Sequence, residues 1–69
     1  MTGTVDKAIL PKGYAFVAGD DGRDYFLHVD DWTGVWDARD LRRGVRVEFE
    51  TREVSPDRYR AMNARAVVA

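Results

Sequence analysis

Few side chains in this sequence could do chemistry, and they fall into three sets. The first is a single histidine, His28, in a chain with no cysteine. That inventory excludes a thiol nucleophile, a cysteine zinc site, a disulfide framework and a multi-histidine metal centre. No nucleophile or orienting group accompanies His28, so neither catalysis nor a cofactor is expected. The second set is charged. Asp20, Asp21, Asp24, Asp30 and Asp31 match no calcium-loop spacing, and aspartate is an ordinary turn residue. Arg39, Arg42, Arg43 and Arg46 form a basic run, but Asp37 and Asp40 dilute it, and it reads as a solvated stretch. The third set is aromatic. Tyr14, Phe16 and Phe26, with His28, fall within two short segments and carry flat π faces. Their chemistry is stacking.

The elements that must hold these rings are strands. Turn signals recur at short intervals: Pro11-Lys12-Gly13, Gly19-Asp20-Asp21-Gly22, Thr33-Gly34, Gly44 and Ser55-Pro56-Asp57. Between them lie segments of strand length, predicted at Thr4 to Leu10, Tyr14 to Ala18, Asp24 to Val29, Val45 to Glu53 and Tyr59 to Val68. Asp21-Gly22 signals a hairpin between the second and third. Asp30 to Arg43 is less regular. A helical turn near Asp30 to Trp32 and a polar loop carrying Trp36 are predicted there, with a helix over Val35 to Arg42 as the weaker option. The last segment has helix-prone alanines, but Val67-Val68 and the preceding turn favour a strand. Five short strands suggest a small barrel or sandwich.

Period-2 alternation then separates two apolar faces. Val45, Val47 and Phe49 alternate with Arg46, Glu48 and Glu50, giving one core face and one wet face. In the predicted hairpin, Ala15 and Val17 oppose Tyr14 and Phe16, and Tyr25, Leu27 and Val29 oppose Phe26 and His28. A small barrel has one interior, which small aliphatic side chains fit best. The aromatic face is therefore the outer one, and an exposed aromatic cluster marks a binding surface. Unpaired bases are the simplest ligand, because every base offers a π face.

Composition limits the alternatives. Sixty-nine residues make one domain, 1–69, too small for an enzyme with a deep pocket. The chain is 45% hydrophobic and 33% charged, which is globular. Its net charge of −1 does not advertise a nucleic-acid binder, so any such role rests on local geometry. No apolar run reaches the roughly 20 residues of a membrane span. Met1 to Asp6 lacks a charged region followed by an apolar stretch and does not read as a signal peptide. A reducing, cytoplasmic location is expected.

The residues also resemble a known family. Lys12-Gly13-Tyr14-Ala15-Phe16-Val17 resembles the first RNA-binding motif of the cold-shock domain, Lys-Gly-Phe-Gly-Phe-Ile. Asp20-Asp21-Gly22 and Tyr25-Phe26-Leu27-His28-Val29 resemble its following turn and second motif, Val-Phe-Val-His-Phe. Gly3-Thr4-Val5, the stretch Leu41 to Phe49, and Ala64 to Val67 match its opening, fourth-strand and closing patterns. The resemblance implies an all-β, five-stranded antiparallel OB-fold barrel that binds single-stranded RNA or DNA as an RNA chaperone. It places base stacking on Tyr14, Phe16, Phe26 and His28, a lysine at Lys12, and the basic residue ahead of the last strand at Arg60. The departures are specific. The family's Lys-Trp-Phe falls on Asp6-Lys7-Ala8, its aromatic after the histidine on Val29, its loop aromatic on Ala38, and a motif glycine on Ala15. Lys7 and Trp36 offer partial replacement. Lys7 and Arg60 suit either a solvated charge or a phosphate contact, and Trp36 suits either loop packing or stacking. Trp32 reads as a plug at one end of the barrel. The altered first strand also suits a second reading, in which the aromatic face docks a protein partner or a second copy of the chain.

Overall fold

The computed structural model describes residues 1–67. Five strands carry the fold: β1 (Thr2–Ile9), β2 (Tyr14–Gly19), β3 (Asp24–His28), β4 (Arg46–Ser55) and β5 (Arg58–Ala66). Short 3-10 turns at Leu10–Lys12 and Val29–Asp31 follow β1 and β3. The second is the helical turn expected near Asp30. No helix forms over Val35 to Arg42, where bends and isolated turns take the chain from Trp32 to β4. Strand ends move by one or two residues from the expected ones: Leu10 and Val29 belong to the turns, and β4 runs on to Ser55. Val68, the predicted end of the last strand, lies outside the described residues.

The strands close in the order β1-β2-β3-β5-β4. Four neighbouring pairs are antiparallel, whereas β3 and β5 run parallel, with Tyr25 opposite Tyr59 and Leu27 opposite Ala61. The expectation of a purely antiparallel barrel is corrected on this point. The reason is parity: a closed ring with an odd number of strands cannot alternate direction all the way round. One parallel pair is forced, and it falls where β5 returns beside β3 after β4.

Closure also needs bending. Register shifts between Val5 and Lys7 in β1 and between Glu48 and Glu50 in β4 mark bulges that let each strand serve two neighbours. At Gly3 the chain is paired on both sides, with Gly19 and Val47, and a Cβ there would lie 2.6 Å from the Ala18 carbonyl oxygen. Only glycine fits that approach.

The interior is filled by Ala15, Val17, Tyr25, Leu27, Val47 and Phe49, as alternation predicts, together with Val5 and Ala61; Val29 and Val45, expected on the same faces, lie outside the strands and are only partly buried. Tyr25 and Phe49 pack with ring centroids 4.9 Å apart. Trp32 is buried beside Ala64 and donates its indole N–H to the Val35 carbonyl at 3.0 Å, so its role is structural. Leu41 anchors the irregular connection to the core.

Candidate nucleic-acid interface

The aromatic face follows from register. In the β2/β3 hairpin Tyr14 is directly opposite His28, and Phe16 is directly opposite Phe26. Directly paired residues project from the same face of a sheet. Their inward neighbours Ala15, Val17, Tyr25 and Leu27 are fully buried, so the rings must lie outside. Phe16 is 40% exposed, and Tyr14, Phe26 and His28 are half-buried.

The four side chains form one contiguous cluster. Tyr14 meets Phe16 edge-on at 5.7 Å and Phe26 edge-on at 5.6 Å. Phe16 and Phe26 are tilted by 32° at 6.0 Å, and Phe26 meets His28 edge-on at 6.4 Å. Phe16 and Phe26 thus present similarly inclined faces, which suits successive stacked bases.

His28 is held in place locally. Its Nδ1 accepts the Asp30 backbone N–H at 3.1 Å. The neutral ring therefore carries its proton on Nε2. The Asp30 carboxylate lies 3.5 Å from the same nitrogen.

The pairing extends beyond the hairpin. Lys7 is opposite Phe16, Phe26 is opposite Arg60, and Arg60 is opposite Arg52. A single row across the sheet thus reads Lys7, Phe16, Phe26, Arg60, Arg52, with rings in the middle and cations at both ends. An open groove of about 610 Å³ runs along the ring cluster, and Tyr59 and Arg60 lie on its β5 side. Tyr59 is not among the expected site residues. Arg23 stacks over its ring at 4.6 Å. The sequence signal for Tyr59 was its place beside Arg60, but nothing local shows that β5 adjoins β3.

The remaining expected residues are distributed as follows. Lys12 is exposed at the end of the turn before β2, where Gly13 at φ 78° accepts a hydrogen bond from Val29 N–H through its carbonyl. Arg60 lies inside β5 rather than ahead of it, and its guanidinium is bound to the half-buried Asp31 carboxylate at 2.8–2.9 Å. Trp36 donates its indole N–H to the Leu10 carbonyl at 3.1 Å and packs against the core, away from the side chains that line the groove. Of the sequence departures, Ala15 is buried and Ala8, its β1 partner, packs against the core. In β1, then, the change that reaches the aromatic row is Lys7.

Two carboxylates near the hairpin are structural. Asp20 receives the Arg46 guanidinium at 2.7–2.8 Å and the Thr2 hydroxyl, which together hold its carboxyl far below the ordinary carboxylate range. Asp21 accepts the Tyr25 hydroxyl and is lowered by it, while burial and then that carboxylate push the Tyr25 phenol up. These contacts tie the β2/β3 turn to β1, β4 and the core. Among the described residues, no cluster of three histidine, aspartate or glutamate side chains could hold a metal ion.

A closed five-stranded barrel of this order, filled inside and carrying paired rings outside, is an OB-fold barrel. The 'Cold-shock' DNA-binding domain family matches residues 1–68, and the chain belongs to that family. It is a family of nucleic-acid-binding domains. In a comparison with curated proteins, nothing matches. No helix among the described residues is long and apolar enough to cross a membrane.

Proposed function

We propose that residues 1–69 form one domain that binds single-stranded RNA or DNA by stacking bases on Tyr14, Phe16, Phe26 and His28. The observation that carries this reading is the direct cross-strand pairing of the four side chains outside a filled barrel. Lys7 and Arg60, at the two ends of the ring row, and Lys12, beside it in sequence, supply positive charge for phosphates. Stacking does not read base edges, so sequence preference is weak. Family membership supports a role in keeping RNA strands open in the cytoplasm, and so in modulating transcription or translation. No cofactor takes part.

The test is a fluorescence anisotropy titration with a labelled single strand of about ten nucleotides. The expected result is salt-dependent binding, with log K falling by about 0.7 per phosphate contact on log[salt]. A duplex of the same sequence binds far more weakly. Phe16→Ala/Phe26→Ala loses two stacks, each worth about 1–3 kcal/mol, and so weakens binding by at least about 30-fold. Single-strand binding that ignores this double substitution, or no binding at low salt, overturns the reading. In the second case the face is left to a protein partner or to self-association, for which association of the chain with itself is the first measurement.

A further inference from the structure

A second groove, of about 620 Å³, lies between β1 and the end of the irregular connection. Lys7, Ala8, Leu10, Ala38, Arg42 and Arg43 line it, together with Asp6 and the buried Leu41. Three cations face one carboxylate, so the groove holds a local excess of two positive charges on a chain of net charge −1. Arg46, Arg60 and Arg65 are each bound to a carboxylate, but no ion pair among the described residues involves Lys7, Arg42 or Arg43. Arg42 spends one guanidinium donor on the Arg39 carbonyl at 3.0 Å and keeps the others free.

The connection that carries these arginines is pinned. Leu41 is 1% exposed, and its N–H donates to the Asp37 carbonyl at 2.9 Å. Gly44 N–H donates to the Val5 carbonyl, and Val5 N–H donates to the Val45 carbonyl, both at 2.9 Å. The Trp36 indole holds the other side at Leu10. Arg42 and Arg43 are thus presented from a fixed backbone at the edge of β1. The groove joins the aromatic row through Lys7, which lines the groove and is opposite Phe16. Its lining has small and aliphatic side chains but no ring, so it offers nothing for a base to stack on.

We propose that this groove is an extension of the nucleic-acid track, in which Arg42 and Arg43 hold the phosphodiester backbone of a single strand that continues beyond the aromatic cluster. The inference rests on the stacking reading above and adds a second, sequence-independent contact zone to it. It makes affinity depend on strand length through charge alone.

The experiment compares strands of about four and about ten nucleotides. It uses the unchanged chain, Arg42→Ala/Arg43→Ala, and Phe16→Ala/Phe26→Ala. Both arginines are exposed, so thermal unfolding of their variant should match that of the unchanged chain. The arginine variant binds the short strand as the unchanged chain does. With the long strand it loses about 25-fold in affinity near 0.1 M salt, and its log K against log[salt] slope is shallower by about 1.4, the value for two phosphate contacts. The phenylalanine variant loses affinity for both strands. Equal affinity and equal slope for the long strand with and without the arginines overturns the inference while leaving the stacking reading intact. Equal loss on both strands also overturns it, because the arginines would then act at the aromatic cluster itself. If the unchanged chain binds neither strand, the stacking reading fails and this inference fails with it.

Discussion

At the residue scale, the functional question turns on which charges are free. Arg60 occupies the same cross-sheet row as Phe16 and Phe26, but Asp31 holds part of its guanidinium at 2.8 Å. A phosphate approaching Arg60 must compete with that carboxylate. Asp31→Asn is therefore expected to strengthen single-strand binding by several-fold and to steepen the salt slope by about 0.7. Its cost to stability should be about 1–3 kcal/mol, because the Asp31 side chain is only 12% exposed and gives up charge-assisted bonds to Arg60. Titrations at two salt concentrations, with thermal melts alongside, check both statements. Lys7 shows the converse. It stands opposite Phe16 where the family has an aromatic ring, so the row exchanges one stack for one charge. Lys7→Trp is expected to raise affinity while flattening the salt dependence, a combination that neither change in charge nor change in fold would produce alone.

At the element scale, the aromatic face depends on turns that lock strand register. Gly13 sits at φ 78°, with Val29 packed 3.3 Å from where a Cβ would be, and it joins the turn after β1 to the turn after β3. Gly13→Ala should cost about 1–3 kcal/mol, seen as a lower denaturation midpoint. Truncating the buried partner of the face is more damaging. Leu27, between Phe26 and His28 in sequence, is fully buried on the opposite face of β3, and Leu27→Ala should cost about 2–5 kcal/mol. The hairpin itself was legible in the sequence, because Asp21-Gly22 and two alternating runs specify both the turn and the faces. The connection from Thr33 to Gly44 was not. It lacks a period, and its course is set by Trp32 bridging to Ala64 of β5, Trp36 bonding to the Leu10 carbonyl and Leu41 entering the core.

At the scale of the whole molecule, charge pairing ties the barrel together and gives it an acid limit. Asp20 and Asp21 have folded-state pKa values below the unfolded value of about 3.9. A depressed carboxylate contributes stability that is fully present above its unfolded pKa and is lost as pH falls through the folded one. Stability should therefore hold from neutral pH down to about 4 and decline below it. Asp20→Asn, which removes the Arg46 contact, should be less stable at pH 7, and its deficit should shrink as the pH drops below about 4. Urea midpoints of both chains across pH 2–7 test this. Binding and stability thus respond to different variables: salt screens the phosphate contacts, and acid removes the carboxylate ties.

The sequence by itself determined the strand count, the hairpin, the two faces and the choice of which one is core. Each follows from period-2 alternation and turn chemistry, which are local. The absence of thiols and the lone histidine were equally decisive in removing whole classes of chemistry. Only the tertiary structure decided the rest. The parallel β3/β5 pair arises from closing an odd number of strands, a property of the ring and not of any segment. That pair brings Arg60 and Tyr59 beside the aromatic cluster and sets Asp31 on Arg60. Likewise, Arg42 and Arg43 read as a solvated run along the chain, and they become the wall of a groove only because backbone hydrogen bonds from Val5 draw their loop against β1. Alternation reports which way a side chain faces. Which distant side chains it meets is fixed by closure of the barrel, where the packing of all five strands is satisfied together.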